Sequence, residues 1–136
     1  MNIVTVETSI HQSIEKVWKL WTSPDHIINW NFATPQWHCP SAELELKVGG
    51  KLKYHMAAKD GSMAFDYIGI ITSIAKNSLL EYTLEDGRKV SIRFTEENGI
   101  SKVTESFEVE DENSIDMQRQ GWQAILENFK NYAESQ

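Results

Sequence analysis

The feature that most constrains this chain is a change of hydrophobic period near its C-terminus. Between residues 44 and 109 apolar side chains recur at every second position in short runs, whereas beyond residue 114 they recur at helical spacing for about twenty residues. A period of two lays alternate side chains on opposite faces of a sheet, and a period of 3.6 gathers them into one stripe on a helix. The stripe consists of Met117, Trp122, Ile125, Leu126, Phe129 and Ala133. Asp116, Arg119, Gln120, Glu127, Lys130 and Glu134 take the opposite side, and Ser114 is placed to cap the first turn. A helix with tryptophan and phenylalanine on one stripe needs a broad apolar surface, and a sheet built from the preceding runs supplies it.

Those runs are separated by turn signals. Leu44, Leu46 and Val48 alternate with charged residues before Gly49-Gly50, and Leu52, Tyr54 and Met56 alternate before Asp60-Gly61. A longer strand follows over 64–74, where Gly69 marks a bulge or a close approach. Asn77-Ser78 then turns the chain into Leu80, Tyr82 and Leu84, Asp86-Gly87 into Val90, Ile92 and Phe94, and Asn98-Gly99 into Val103, Glu105, Phe107 and Val109. At the N-terminus Val4, Val6, Thr8 and Ile10 read as a first strand. Ser13 caps a helix over 14–22 whose apolar face is Ile14, Val17, Trp18 and Trp21; Ser23-Pro24 restarts a second helix over 24–30; residues 31–41, with Pro35 and Pro40, read as a loop. Short turns between successive strands make the sheet antiparallel. The expected architecture is a single α+β domain over residues 1–136: a curved antiparallel sheet of about six or seven strands wrapped on a long C-terminal helix, with two short helices after the first strand.

Charge and motifs exclude several function classes. Thirteen basic residues against twenty acidic ones give a net charge of −7 with no basic cluster, which argues against nucleic acid and against an anionic membrane. Cys39 is the single cysteine, so no internal disulfide forms; no basic-then-apolar leader and no membrane-length apolar run is present, and a cytoplasmic protein is expected. His11, His26, His38 and His55 are scattered without metal-ligand spacing, and no metal or other cofactor is expected. Gly49-Gly50 lacks the Gly-Lys-Ser/Thr of a phosphate loop, there is no serine triad motif, and Cys39 has no base in sight beyond its own neighbour His38.

The element order and its local wording resemble the START-like (helix-grip) superfamily, and within it the family related to the activator of heat-shock-protein-90 ATPase. The matching pieces are Ser13-Ile14-Glu15-Lys16-Val17-Trp18, Trp30, Val48-Gly49-Gly50-Lys51-Leu52, Asp60-Gly61, Gly69, Val103-Thr104-Glu105-Ser106-Phe107 and Gly121-Trp122. They run in order across almost the whole chain. The resemblance implies a pocket between the sheet and the long helix, and a fold of this kind hosts many functions.

Parity and position nominate the residues that would line such a pocket. Tyr54, Met56, Tyr82 and Phe94 are inward strand residues; Phe65, Tyr67 and Phe107 come from neighbouring strands; Trp30, Phe32 and Trp37 stand at the mouth; Met117, Gly121 and Trp122 come from the helix. The competing reading is a solid core filled by the same side chains. Glu105 shares its parity with Val103, Phe107 and Val109, so its carboxyl faces inward and needs a partner, for which a tyrosine hydroxyl, Arg93 and Gln118 are candidates, or a raised pKa. Three functions follow. The first is a carrier or sensor of a small apolar or amphipathic ligand. The second is a cyclase- or hydrolase-type enzyme in which Glu105 is the acid or base and Tyr54, Tyr67 or Tyr82 orients the substrate. The third is a co-chaperone-like or stress-response partner of a chaperone. Both a monomer and a homodimer are compatible with the sequence.

Overall fold

In the computed structural model, which describes residues 2–136, seven strands form one antiparallel sheet. Strand β1 (Ile3–Ile10) is followed by helices α1 (Ile14–Thr22) and α2 (Pro24–Ile27), then by β2 (Trp37–Leu44), β3 (Lys51–Ala58), β4 (Ala64–Ala75), β5 (Leu79–Leu84), β6 (Lys89–Glu97) and β7 (Ile100–Glu108), and finally by helix α3 (Ile115–Glu134). The sheet order is β1-β7-β6-β5-β4-β3-β2. The last six strands are therefore a meander, and β1 closes onto its far end by pairing with β7, Val6 opposite Glu105. The turn signals act through backbone conformation: Asn98 and Gly99 both have positive φ (54° and 78°), as a tight hairpin with matching twist requires.

Ser13 and Ser114 cap their helices, the hydroxyl oxygens accepting from the N–H of Lys16 and Met117. α3 packs along β1 and against α1, and the aromatic core lies where these meet the sheet. Trp21 makes an edge contact with Phe129 at 4.7 Å and packs against Trp30 at the same distance; Phe94 closes the cluster beneath Trp18 and Trp21.

Three boundaries differ from the sequence reading. α2 ends at Ile27 rather than Trp30, because the N–H groups of Asn29 and Trp30 turn to the carbonyls of His26 and Ile27, three residues back, in a tighter turn. The segment 31–41 is not all loop, since β2 begins at Trp37. Pro40 sits at a register shift between His38 and Ser41, and β2 is an edge strand, the place where a residue without an N–H is tolerated. β2 then stops at Leu44, so Leu46 and Val48 are exposed on the following turn instead of continuing a buried strand face.

That turn is pinned to the sheet, with the Gly49 N–H donating to the Ile71 carbonyl (2.8 Å) and the Ile71 N–H donating to the Gly50 carbonyl (2.9 Å). A Cβ on Gly50 would drive into the carbonyl oxygen of Glu45 and lie 2.8 Å from that of Lys47, both backbone atoms with no room to yield. Gly50→Ala is expected to cost about 1–3 kcal/mol, read as a lower urea midpoint at unchanged slope. Gly49→Ala meets no neighbour and strains only its positive φ of 83°, so it is expected to cost less.

Candidate functional site

α3 does not lie flat on the whole sheet. It is seated on β1, and between its central turns and strands β3–β5 the structure leaves a cavity of about 250 Å³. Eight predicted pocket residues line it: Trp30, Tyr54, Met56, Phe65, Tyr67, Tyr82, Glu105 and Trp122; the unpredicted Trp21, Asn31, Arg88 and Ile125 complete the wall. The tyrosines arrive from three adjacent strands, which the register places side by side (Tyr54 opposite Tyr67), and the rings of Tyr54 and Tyr67 stack at 6.0 Å. The hydroxyls of Tyr67 and Tyr82 share a hydrogen bond of 2.8 Å. Gly69 makes the close approach expected of it, since a Cβ there would lie 3.1 Å from the Tyr82 ring.

The remaining predicted site residues lie elsewhere. Phe107 is behind the wall, its ring stacked on Trp122 at 4.0 Å and nearly parallel, so it sets the tilt of Trp122 without reaching the cavity. Phe94 is buried behind Trp21. Phe32 and Trp37 pack half-buried against the core, Trp37 beside Phe65 at 5.8 Å. Met117 is 62% exposed because it belongs to the first turn of α3, before the helix meets the sheet. Gly121 is half-buried, and a Cβ built there touches nothing, so the helix has slack at that point.

The four missed residues carried unequal signals. Ile125 follows Trp122 by three positions and shares its helical face, and Trp21 is on the apolar stripe of α1, so both were legible as inward residues. Asn31 and Arg88 were not: one lies in the aperiodic segment between α2 and β2, and the other follows the Asp86-Gly87 turn, where a solvated arginine is the ordinary expectation.

Glu105 is 5% exposed, on β7, with its carboxyl in this cavity. Burial alone pushes it up to about 8. None of the three partners considered from sequence holds it: the Tyr67 and Tyr82 hydroxyls bond each other and the Tyr54 hydroxyl bonds nothing. Arg93 is exposed, and Gln118 is occupied at the start of α3, accepting from the Glu110 N–H and donating to the carbonyls of Glu110 and Asn113. The same burial holds the hydroxyls of Tyr54, Tyr67 and Tyr82 well above the ordinary tyrosine value, and the nearby Glu105 charge adds to it. Arg88 enters from the solvent side with its side chain 20% exposed; its Nε donates to Asp86 Oδ2 at 2.7 Å. Cys39 is buried on β2, its thiol donating to the Ser41 carbonyl, and desolvation raises its pKa, the opposite of what a nucleophilic thiol requires.

The Tyr54 hydroxyl is fully buried and has no protein hydrogen-bond partner. Tyr54→Phe deletes that orphaned group and little else. It is expected to raise the unfolding free energy by about 1 kcal/mol, measured by urea titration; a loss of similar size would contradict the assignment.

A curved antiparallel sheet gripping one long helix, with an aromatic cavity left between them, defines a helix-grip α+β domain of the START-like class. Residues 11–134 match the family described as Activator of Hsp90 ATPase homolog 1-like protein, and the chain belongs to that family. Among solved structures it is similar to the AHSA1-like protein of Aeromonas hydrophila, at 41% identity and a TM-score of 0.92, over 98% of this chain and 93% of that one. A protein of Cytophaga hutchinsonii is 48% identical over 99% of this chain and 94% of its own, with a TM-score of 0.86. A protein of Chromobacterium violaceum, only 17% identical, keeps the fold over 98% of this chain and 99% of its own, with a TM-score of 0.89. No curated protein matches the chain. No helix among the described residues is long and apolar enough to cross a membrane.

Proposed function

We propose that this protein binds a small amphipathic molecule in the cavity between the sheet and α3. The observation that carries the reading is the enclosure of polar groups without protein partners, the Glu105 carboxyl and the Tyr54 hydroxyl, inside a wall of indole and phenyl rings. A core selected only for packing gains nothing from them. Leucine or phenylalanine fills the same space without the desolvation cost. The space of about 250 Å³ exceeds the ~150 Å³ of a cavity that takes up benzene and falls just short of the ~300 Å³ at which drug-sized sites begin. It suits a ligand of one or two rings.

The test is thermal unfolding in the presence of a panel of small aromatics, fatty acids and polyketide-like compounds. A ligand at one hundred times its Kd adds about 2.7 kcal/mol to the unfolding free energy, so a binder is expected to raise Tm by several degrees. Ile125→Trp, which fills the cavity from the helix side, is expected to abolish that rise. A panel that leaves Tm unmoved, or a shift that persists in Ile125→Trp, would contradict the proposal.

One observation favours a second reading, an enzyme of cyclase or hydrolase type. A buried carboxyl held at about 8 within an aromatic-walled pocket is poised for proton transfer near neutral pH. Turnover of a bound ligand that Glu105→Gln eliminates, with binding retained, would establish it. The co-chaperone reading draws on the family's description alone, and no feature of the cavity bears on it.

A further inference from the structure

Five of the cavity's polar groups, Arg88, the three tyrosine hydroxyls and Glu105, can each offer a hydrogen-bond donor at neutral pH. Arg88 commits its Nε and its backbone N–H to Asp86, and its two terminal nitrogens have no acceptor among the described residues. The Tyr54 hydroxyl has no protein partner. In the Tyr67–Tyr82 pair one hydroxyl donates to the other and one hydrogen is left over. Glu105 has no ion pair and, protonated, presents an O–H. These groups also differ in depth. The Arg88 side chain is 20% exposed and Glu105 is 5% exposed, and both line the same cavity as the three tyrosines, so the arginine is the outer group and the carboxyl the inner one.

We propose that the ligand is a one- or two-ring aromatic compound with acceptor oxygens at both ends: an outer carboxylate or similar anion that meets Arg88, and an inner neutral carbonyl that accepts from Glu105 and Tyr54. This rests on the cavity being the binding site. The ring body lies between Trp122 and the tyrosines, which line the same cavity. The guanidinium supplies charge-assisted donors at the solvent side, where a carboxylate gives up least hydration.

Raising the pH reverses the inner contact. The titratable and charged groups facing Glu105 are Tyr54 from β3, Tyr67 from β4, Tyr82 from β5 and Arg88 ahead of β6; Val6 and Ile92 flank it in register, and α3 contributes only Trp122 and Ile125. Burial holds the tyrosines well above their ordinary value, so they stay protonated while Glu105 changes state, turning from a donor into an anion set against the ligand's oxygen.

The experiment is isothermal titration calorimetry of the wild-type protein at pH 7 with naphthalene, 2-acetylnaphthalene, 6-acetyl-2-naphthoate and 2-naphthyltrimethylammonium. The acetylnaphthoate is expected to bind about tenfold or more tightly than naphthalene. Its affinity is expected to fall about tenfold between pH 7 and 9.5, a fall that Glu105→Gln removes because an amide donates at every pH. Arg88→Gln is expected to weaken the naphthoate about tenfold without a matching loss for acetylnaphthalene. Naphthalene binding as tightly as the naphthoate would overturn the acceptor assignment and leave the cavity a plain apolar site. The trimethylammonium binding tightest, with affinity rising above pH 8, would overturn it in favour of a cation held by ionised Glu105. If none of the four binds, this proposal and the ligand-binding reading both fall.

Discussion

Raising the pH from about 5 to about 9 is expected to weaken the fold by roughly 4 kcal/mol, and Glu105→Gln is expected to remove that loss. The cause is the difference between the two states of one carboxyl. In the unfolded chain Glu105 ionises at its ordinary value of 4.5, whereas in the folded protein burial holds the proton until about 8. Between these values the unfolded chain has released a proton that the folded chain still binds, so stability falls as the pH rises. It falls by 1.36 kcal/mol per pH unit, and the three units from pH 5 to 8 give roughly 4 kcal/mol. Above pH 8 both states are ionised and this contribution is flat. Urea titrations of wild type and Glu105→Gln at pH 5, 7 and 9 isolate the effect, because the other titrating groups are common to both. The two stability curves are expected to diverge with rising pH, the variant ending more stable. Parallel curves would mean that the Glu105 carboxyl is solvated and would remove the basis of its role in the cavity.

The second large effect is expected at Trp30. Its ring is 1% exposed and touches Trp21 and Phe129 at 4.7 and 4.8 Å. Its indole N–H donates to the Leu20 carbonyl at 3.1 Å, one of the carbonyls that the end of α1 leaves without a helical partner. One side chain thus ties α1, the segment after α2 and α3 together. Trp30→Ala removes a fully buried aromatic, at about 3–5 kcal/mol, and strips the donor from a buried carbonyl. Against a typical domain stability of about 5–15 kcal/mol, the variant is expected to be marginally folded, with a large drop in urea midpoint. Trp30→Phe keeps most of the packing and loses only the N–H, at a cost of about 1 kcal/mol. Equal losses for the two variants would shift the weight from packing to the hydrogen bond.

The strands and the long helix were legible because their periods are uninterrupted. Tyr54, Tyr82 and Glu105 point inward as their parity requires, and Trp122 faces the sheet as the α3 stripe requires. The edge of the sheet was harder to read. The alternation at Leu44, Leu46 and Val48 persists after the backbone has left the sheet, and Pro40 disguises a strand that tolerates it only because it lies at an edge bulge. Within the site, parity tells inward from outward but not front from back. Phe94 and Phe107 face inward, yet Trp21 and Trp122 stand in front of them. Arg88 reaches the cavity by the path of its turn, which no periodicity encodes.

The five tryptophans provide the most direct test of the central claim, that a ligand enters between the sheet and α3. Trp21, Trp30 and Trp122 line the cavity, while Trp18 and Trp37 do not. The measurement is a ¹H–¹⁵N spectrum of the indole N–H groups as 6-acetyl-2-naphthoate is added to saturation. The account predicts that the resonances of Trp21, Trp30 and Trp122 move together along one binding curve while those of Trp18 and Trp37 stay in place. Movement confined to Trp18 and Trp37, or five resonances that do not move with the probe at millimolar concentration, would contradict it.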